Sequence, residues 1–430
     1  MKDMQKKGQW RAYPGLYPAV ILVLVLTMLS AIVVLVTYTD RRPALQKAGT
    51  GAASKQQTGN LNNKASAPPK KTAKTGSSAN SGQPQIIPVL CYHHIVNDPK
   101  NKLAVPPALL EQHLKFLRAS GYQGISLKML KDNLEHGKAL PQKPILLTFD
   151  DGWKDQSVFA VPILNKYKFG ATFFVYDEAI TWNGSDFMTR ADLLRLKSLG
   201  YDIASHTWSH PSLIKRASET YAAYVNRMNI QLKRSKLWLE QTLKQEIYCL
   251  AYPYGLYDSV AVKAAADAGY KLAFTVNGGV NYQGGQSKLL LKRIIVTKYS
   301  SPDMLARKLN VTPFHVLKCS PEDGAYLATT APIISARLSG LNDVDTRTIH
   351  FAIDYRGAAT TYTVAEDHLS AAISSHPAVK PGFHFLSIEG RGKRGNIYNT
   401  TWGFYVAKPS VTAAKTAPVA INKHTSPAGR

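Results

Sequence analysis

Acidic residues are scarce in this chain of 430 residues: 28 Asp and Glu stand against 53 Lys and Arg, a formal net charge of +25. Cysteine is scarcer, with only Cys91, Cys249 and Cys319. An odd, scattered trio excludes a disulfide framework. All three lie in apolar surroundings and read as small buried hydrophobes, with a Cys91–Cys249 bridge as the alternative. The acid deficit is uneven. Residues 41–84 carry eight Lys or Arg and no acid, and the tail after Val406 adds Lys408, Lys415, Lys423 and Arg430, again without an acid. Much of the excess charge therefore belongs to polar ends. No basic, aromatic-interleaved motif occurs, so nucleic acid is not an expected partner. Weak contact with anionic lipid or anionic wall polymers is what such ends allow.

Long apolar runs are absent but for one. Tyr17–Tyr38 holds no charged residue and has about the twenty residues that a helix needs to cross a bilayer. Lys2, Lys6, Lys7 and Arg11 precede it, which predicts a cytoplasmic N-terminus. No small-x-small cleavage site follows, so an uncleaved single-pass anchor is expected rather than a signal peptide. The organisation expected is a cytoplasmic segment 1–16, a transmembrane helix 17–38, a disordered basic linker 39–85, folded domains at 86–311 and 312–407, and a disordered tail 408–430. The folded part would then face outward from a bacterial cell membrane.

From Ile86 to Val311 short apolar strands alternate with amphipathic helical stretches. Strands are predicted at Ile86–Cys91, Ile145–Phe149, Gly170–Val175, Asp202–Ala204, Ile247–Ala251, Leu272–Thr275 and Leu291–Ile295. Helices are predicted at Pro107–Ser120, Ser126–His136, Val158–Lys166, Thr189–Leu199, Ser218–Glu240 and Ser259–Ala268. Alternation of this kind means a parallel sheet covered by helices, and about seven strands favour a distorted (β/α)7-type barrel with its active residues at the strands' C-terminal ends. After Pro313 the pattern changes to period two, as in Thr348–Asp354 and Gly382–Ser387. That predicts a small all-β, immunoglobulin-like sandwich, with one short helix near Glu366–Ser374.

Two segments carry chemistry. Thr148-Phe149-Asp150-Asp151-Gly152 ends a buried strand in adjacent carboxylates, and His206-Thr207-Trp208-Ser209-His210 follows another strand with two imidazoles four residues apart. One Asp and two His are a sufficient protein set for a catalytic divalent metal with an open position, which leaves the second Asp free to act as a base. Adjacent carboxylates repel unless a cation favours their ionised forms. A simple strand-ending turn, with no metal, is the bland reading of the acidic pair.

These segments resemble the motifs of the polysaccharide deacetylase family, the NodB-homology carbohydrate esterases: TFDDG is matched in full, and H-[S/T]-x-x-H by His206–His210. The resemblance covers about residues 86–300. It implies Asp150 as general base and Asp151, His206 and His210 as ligands of one divalent metal, zinc first, with cobalt, nickel or manganese as alternatives. It further implies removal of N-acetyl groups from an N-acetylglucosamine polymer of cell wall or matrix, peptidoglycan or poly-N-acetylglucosamine. The aromatic-Pro-Tyr-Gly form of Tyr252–Gly255 is similar to members acting on the latter. Tyr254, after Pro253, is the expected oxyanion donor through its N–H. Trp153, Trp208, Pro253 and Tyr257 are candidate substrate contacts, as are Tyr176 and Trp182.

Two family features are missing. No Arg accompanies Pro253-Tyr254, and no His occurs between His210 and His315 to serve as the late acid. His93 or His94 is a candidate to approach from across the barrel, Arg293 lies in the region where the acid is usually found, and Asp150 could itself return the proton. The gaps also leave open a catalytically weak or inactive glycan-binding protein on a deacetylase barrel.

Overall fold

Mostly buried strands define the N-terminal half of the computed structural model, which describes residues 85–408 except 183, 217, 286, 366–367, 374–375 and 377. The expected cytoplasmic segment, transmembrane helix, all but the last residue of the linker and nearly all of the C-terminal tail lie outside the described residues. Among those described, no helix is long and apolar enough to cross a membrane. The described residues all belong to one compact unit, Pro84–Arg430.

The first sheet contains β1 (Val89–Tyr92), β2 (Gln123–Gly124), β3 (Pro144–Phe149), β4 (Thr172–Val175), β5 (Asp202–Ser205), β6 (Cys249–Ala251), β7 (Leu272–Phe274) and β8 (Ile294–Ile295). Its order is β7-β6-β5-β4-β3-β1-β8, with β2 beside β3. Every pairing is parallel. Leu291, just before β8, exchanges backbone hydrogen bonds with Ala273 and Thr275 and so bridges the gap back to β7. The result is a half-barrel sheet drawn towards closure at one irregular point.

Helices cover the outside: α1 (Pro107–Ala119), α2 (Leu127–His136), α3 (Val161–Tyr167), α4 (Asp177–Trp182), α5 (Arg190–Ser198), α6 (Tyr221–Leu243), α7 (Ser259–Asp267) and α8 (Pro302–Leu309). Their starts are written in the sequence. Ser126, Thr220, Asp258 and Ser301 each accept a backbone N–H with the side chain, and Thr189 with Asp192 forms a reciprocal capping box. Before α3 the chain makes a π turn at Gln156–Ala160.

Alternation along the strands separates two cores. Leu90, Tyr92, Leu147, Phe149 and Phe173 pack outward beneath the helices. Val89, Leu146, Phe174, Ala204, Cys249, Ala251 and Phe274 pack inward. Period two then carries Cys91, Thr148, Asp150 and His206 to the inner face. Cys91 and Cys249 are both free thiols, and β3, β4 and β5 separate their strands, so the bridge considered from sequence does not form.

The C-terminal half contains β9 (Val311–Thr312), β10 (His315–Ser320), β11 (Ala325–Leu327), β12 (Ser335–Ser339), β13 (Val344–Ile353), β14 (Arg356–Ala358), β15 (Thr360–Val364), β16 (Leu369–Ile373), β17 (Gly382–Gly392) and β18 (Ile397–Val406). One sheet has the order β10-β12-β16-β15, the other β11-β18-β17-β13-β14, with β9 on β18. Leu338 and Leu369 of the first share a core with Phe351, Leu386 and Phe404 of the second. The helix expected near Glu366–Ser374 is instead β16. Five residues between two strands pair there with β12 and β15, and cross-strand pairing overrides the weak helical signal.

Candidate metal and catalytic site

β3 delivers Asp150 to the barrel mouth with 2% exposure, its N–H bonded to the Tyr92 carbonyl at 2.9 Å. Asp151 and Gly152 then both take positive φ, 76° and 75°. This left-handed pair turns the chain sharply, and it needs glycine at its second position: a Cβ there would lie 3.1 Å from Val175 Cγ1. The turn aims Asp151 at the loop after β5. In that loop Thr207 and His210 also have positive φ, 72° and 55°, a concentration of strained backbone at one end of the sheet.

Three side chains from the two loops converge. Asp151 Oδ1 lies 3.4 Å from His206 Nε2 and 3.3 Å from His210 Nε2. The two Nε2 atoms are 3.1 Å apart. A cation held tetrahedrally at about 2.0–2.1 Å separates its ligand atoms by roughly 3.3–3.4 Å, so this triangle fits a divalent metal. His206 Nδ1 donates to the Ala251 carbonyl at 2.7 Å, which leaves Nε2 as the lone-pair donor in the neutral ring. Burial, reinforced by neighbouring His206, depresses His210 to about 4. Burial alone would raise Asp151; the contact with His206, with the other imidazoles beside it, outweighs burial and holds the carboxyl well below the ordinary range. Trp153 Nε1 donates to Asp151 Oδ2 at 3.0 Å, orienting the carboxylate from behind.

Beside the triangle stands Asp150, its Oδ2 3.9 Å from His206 Nε2. Both of its oxygens are taken by Arg293, Nη1 to Oδ1 and Nη2 to Oδ2, each at 2.7 Å. Arg293 has no solvent exposure, and its Nε donates to the Thr275 carbonyl. Burial opposes ionisation of Asp150, but the Arg293 charge prevails and keeps the carboxyl below its usual range. The arginine that pairs with Asp150 is therefore one that precedes β8, far in sequence from Pro253-Tyr254.

The remaining candidates fall into three groups. His93 is next to the pair: it forms a cluster with Cys91 and Asp150 whose ligand atoms lie within 4.8 Å of one another, and its Nδ1 is buried without a hydrogen-bond partner among the described residues. A second cation there would face the Arg293 guanidinium. His94 is set aside from the metal triangle, its Nδ1 2.7 Å from Asp155 Oδ2. Tyr254, with φ 59°, sets its ring edge-on to His210 at 4.6 Å. Aromatic rings continue from there around the mouth: His210–Tyr176 at 5.2 Å, Tyr176–Phe187 at 5.5 Å, Phe187–Trp153 at 4.3 Å and Trp153–His94 at 4.0 Å.

Other expected substrate contacts sit elsewhere. Tyr257 has no exposed surface, and its hydroxyl is committed to Asp323 and Asn277, so it presents nothing to a glycan. Pro253 is buried. Trp208 is half-buried with one face covered by the Arg234 guanidinium, 3.4 Å from the ring centroid. Trp182 is exposed on α4.

Sequence reading passed over Cys91, whose Sγ lies 3.5 Å from Asp150 Oδ2. It also passed over Gln156, whose Nε2 donates to the carbonyls of Asp150 at 2.5 Å and His93 at 2.9 Å and so ties the ends of β3 and β1 together. The signal for Cys91 was available in the inward period-two face of β1. Nothing local marks Gln156, because its role depends on the π turn.

The chain is similar to known polysaccharide deacetylases. Residues 137–273 match the family model for polysaccharide deacetylase. The chain is 30% identical over 210 residues to "Putative polysaccharide deacetylase YxkH" of Bacillus subtilis, covering 49% of this chain and 71% of that protein. It is 24% identical over 234 residues to poly-beta-1,6-N-acetyl-D-glucosamine N-deacetylase of Escherichia coli, covering 44% of this chain but only 34% of that protein. Among solved structures, the deacetylase PplD of Streptococcus pyogenes in complex with acetate is 30% identical and covers 53% of this chain and 99% of that one, with a TM-score of 0.49.

Proposed function

The chain belongs to the polysaccharide deacetylase family, and from that premise we propose that it is a metal-dependent hydrolase removing N-acetyl groups from N-acetylglucosamine residues of an extracellular or wall polysaccharide. The observation that carries this reading is the placement of Asp150 beside the Asp151–His206–His210 triangle, whose spacing suits a tetrahedral cation. Zinc is the first choice, since one carboxylate and two imidazoles are its common catalytic set, with cobalt, nickel and manganese as alternatives.

A divalent ion held by that triangle supplies Lewis-acid polarisation of the amide carbonyl and a more acidic water. The chain's own residues do the rest. Asp150 accepts the proton of the attacking water, held in line and ionised by Arg293. General-base assistance of this kind contributes about 10²–10⁴-fold. The backbone N–H of Tyr254 meets the oxygen as its negative charge develops. The proton then goes to the departing amine. His93 is suited to relay it, because burial keeps the imidazole neutral, and a neutral ring can accept at one nitrogen and release at the other. The half-buried rings of Trp153, Phe187 and Tyr176 flank the mouth and offer stacking faces for sugar rings.

The name of the Escherichia coli relative supports poly-N-acetylglucosamine as substrate, with peptidoglycan as the other leading choice. The alternative is a decayed, merely glycan-binding barrel; the pairing of Arg293 with Asp150 supports the enzyme reading over it. We further read the C-terminal sheets as an immunoglobulin-like sandwich, since their strand orders correspond to A-B-E-D and A′-G-F-C-C′. The uncharged run Tyr17–Tyr38 supports an outward-facing enzyme tethered to the membrane. Protease treatment of intact cells tests the tether; a folded domain protected until lysis counts against it. The function is tested by measuring metal content and acetate release on poly-N-acetylglucosamine, peptidoglycan and chitin oligomers. Stoichiometric metal with no acetate from any of them overturns the reading.

A further inference from the structure

The Tyr254 loop is held from outside the barrel. It runs from Tyr252 to Asp258 between β6 and α7 and has positive φ at Tyr254 and Gly255. Its own backbone bonds are few: Tyr252 N to the Phe274 carbonyl at 3.0 Å, Gly255 N to the Tyr252 carbonyl at 2.8 Å and Leu256 N to the Pro253 carbonyl at 3.1 Å. On one side it rests against the strand end after β7: a Cβ on Gly255 would meet Val276 Cγ2 at 2.1 Å, so there is no slack in that contact. On the other side it meets a turn from the C-terminal half. Tyr257, wholly buried, donates its hydroxyl hydrogen to Asp323 Oδ1 and accepts from Asn277 Nδ2. The same Asp323 oxygen accepts the Gly403 N–H of β18 at 3.0 Å. Ser259 N donates to the Gly324 carbonyl at 2.9 Å, and Gly324 N to the Gly403 carbonyl at 2.8 Å. Trp402 Nε1 anchors the turn through the Pro321 carbonyl at 2.9 Å.

These contacts form a continuous path from β18, through Asp323 and Tyr257, to the residue whose ring lies against His210. We propose that Asp323 is a positioning residue for deacetylation: through Tyr257 it fixes the Tyr254 loop at the metal triangle, so the C-terminal β-sheet half is part of the catalytic apparatus. The proposal rests on the reading of Tyr254 as oxyanion donor. A backbone N–H helps only if it is already aimed when charge develops, and while the barrel holds the loop's ends (Tyr252 N to the Phe274 carbonyl at 3.0 Å, the Tyr224 hydroxyl to Asp258 Oδ1 at 2.6 Å), Asp323 adds the acceptor that fixes Tyr257 from the C-terminal half.

The test compares Asp323→Ala, Asp323→Asn and Tyr257→Phe in the full chain, with Thr401→Val as the control. Thr401 also bonds across to the barrel, at the Gly278 carbonyl, but not to this loop. Amide hydrogen exchange in residues 252–258 is read alongside kcat, KM and metal content. Asp323→Ala and Tyr257→Phe are expected to lower kcat by about 10- to 100-fold, the scale of a misplaced catalytic group, with KM and metal content nearly unchanged. Exchange in 252–258 should rise about tenfold while β3 remains protected. Asp323→Asn should recover most of the rate, because its amide oxygen still accepts from Tyr257 and Gly403. Thr401→Val should leave kcat and the loop's exchange as they are. Wild-type exchange in Asp323→Ala, an unaltered kcat, or failure of Asp323→Asn to recover activity overturns the proposal. Should the wild type release no acetate, the deacetylase reading fails, and the exchange measurement alone decides whether Asp323 fixes the loop.

Discussion

Arg293 and Asp150 form a two-pronged ion pair inside the barrel, with both contacts at 2.7 Å and neither side chain more than 2% exposed. The fork is planar and fixed on its far side by the Thr275 carbonyl, so it sets the carboxylate's orientation as well as its charge.

Replacing Arg293 should change the pH profile of the reaction. Burial opposes ionisation of Asp150, but the Arg293 charge outweighs it and holds the carboxyl below its ordinary range in the folded protein. In Arg293→Met the burial remains while the compensating charge is gone, and the carboxyl pKa rises. The acid limb of kcat/KM is therefore expected to move upward by about one pH unit or more. Breaking a buried pair also costs about 3–5 kcal/mol of stability. Arg293→Lys keeps the charge but not the fork, and should fall between. A profile of acetate release from pH 3 to 8, on protein shown to be folded, decides it; an unmoved acid limb in Arg293→Met contradicts Asp150 as the base.

Asp150 and His206 should separate metal binding from chemistry. Asp150→Asn removes the base but none of the three triangle atoms, so metal content is expected to stay near one per chain while acetate release falls by about 10²–10⁴-fold. His206→Ala removes a ligand and should lose both. Elemental analysis after dialysis, paired with the acetate assay, reads the two effects independently. Loss of metal in Asp150→Asn would place that carboxylate among the ligands instead.

Much of this site was legible in the sequence because strand period and motif coincide. Thr148 and Asp150 share a face of β3, and His206 follows Ala204 on the matching face of β5, so inward placement follows from alternation alone. The Asp151-Gly152 turn was implied by the glycine. Arg293 was harder: it lies 143 residues from Asp150, and only barrel closure near β8 brings the two together. Tyr257 misled for a related reason. An aromatic three residues beyond Tyr254 looks like a sugar platform until a turn from the C-terminal half covers it, and local pattern holds no record of that turn. The strand β16 was lost in part to the same cause: β15 precedes it directly, but its other partner, β12, lies some thirty residues back in the chain.

Trp153 illustrates how a residue flagged for stacking can serve the metal. Its indole N–H reaches Asp151 Oδ2 at 3.0 Å, while its ring packs between His94 and Phe187. Trp153→Phe keeps most of the packing and removes the donor. Loss of such an outer partner commonly costs 10–100-fold in metal affinity, and about that weakening is expected here. Competition with a chelator of known affinity measures it. An unchanged affinity with a raised KM would return Trp153 to the substrate surface alone.

Gly255 offers the most direct check on the Tyr254 loop. It has φ 67°, a region that alanine enters at a cost, and a Cβ there would lie 2.1 Å from Val276 Cγ2 and 2.7 Å from the Val276 nitrogen. The second contact is with backbone, so rotation of a side chain cannot relieve it. Overpacking typically costs about 1–3 kcal/mol, and the unfavourable φ adds to it. Gly255→Ala should therefore lower stability by about 3 kcal/mol or displace the loop from Val276. Urea denaturation measures the first outcome. The second appears as lost kcat with metal retained, because the triangle comes from other loops. Wild-type stability together with a wild-type rate would show that the segment is looser than its contacts imply.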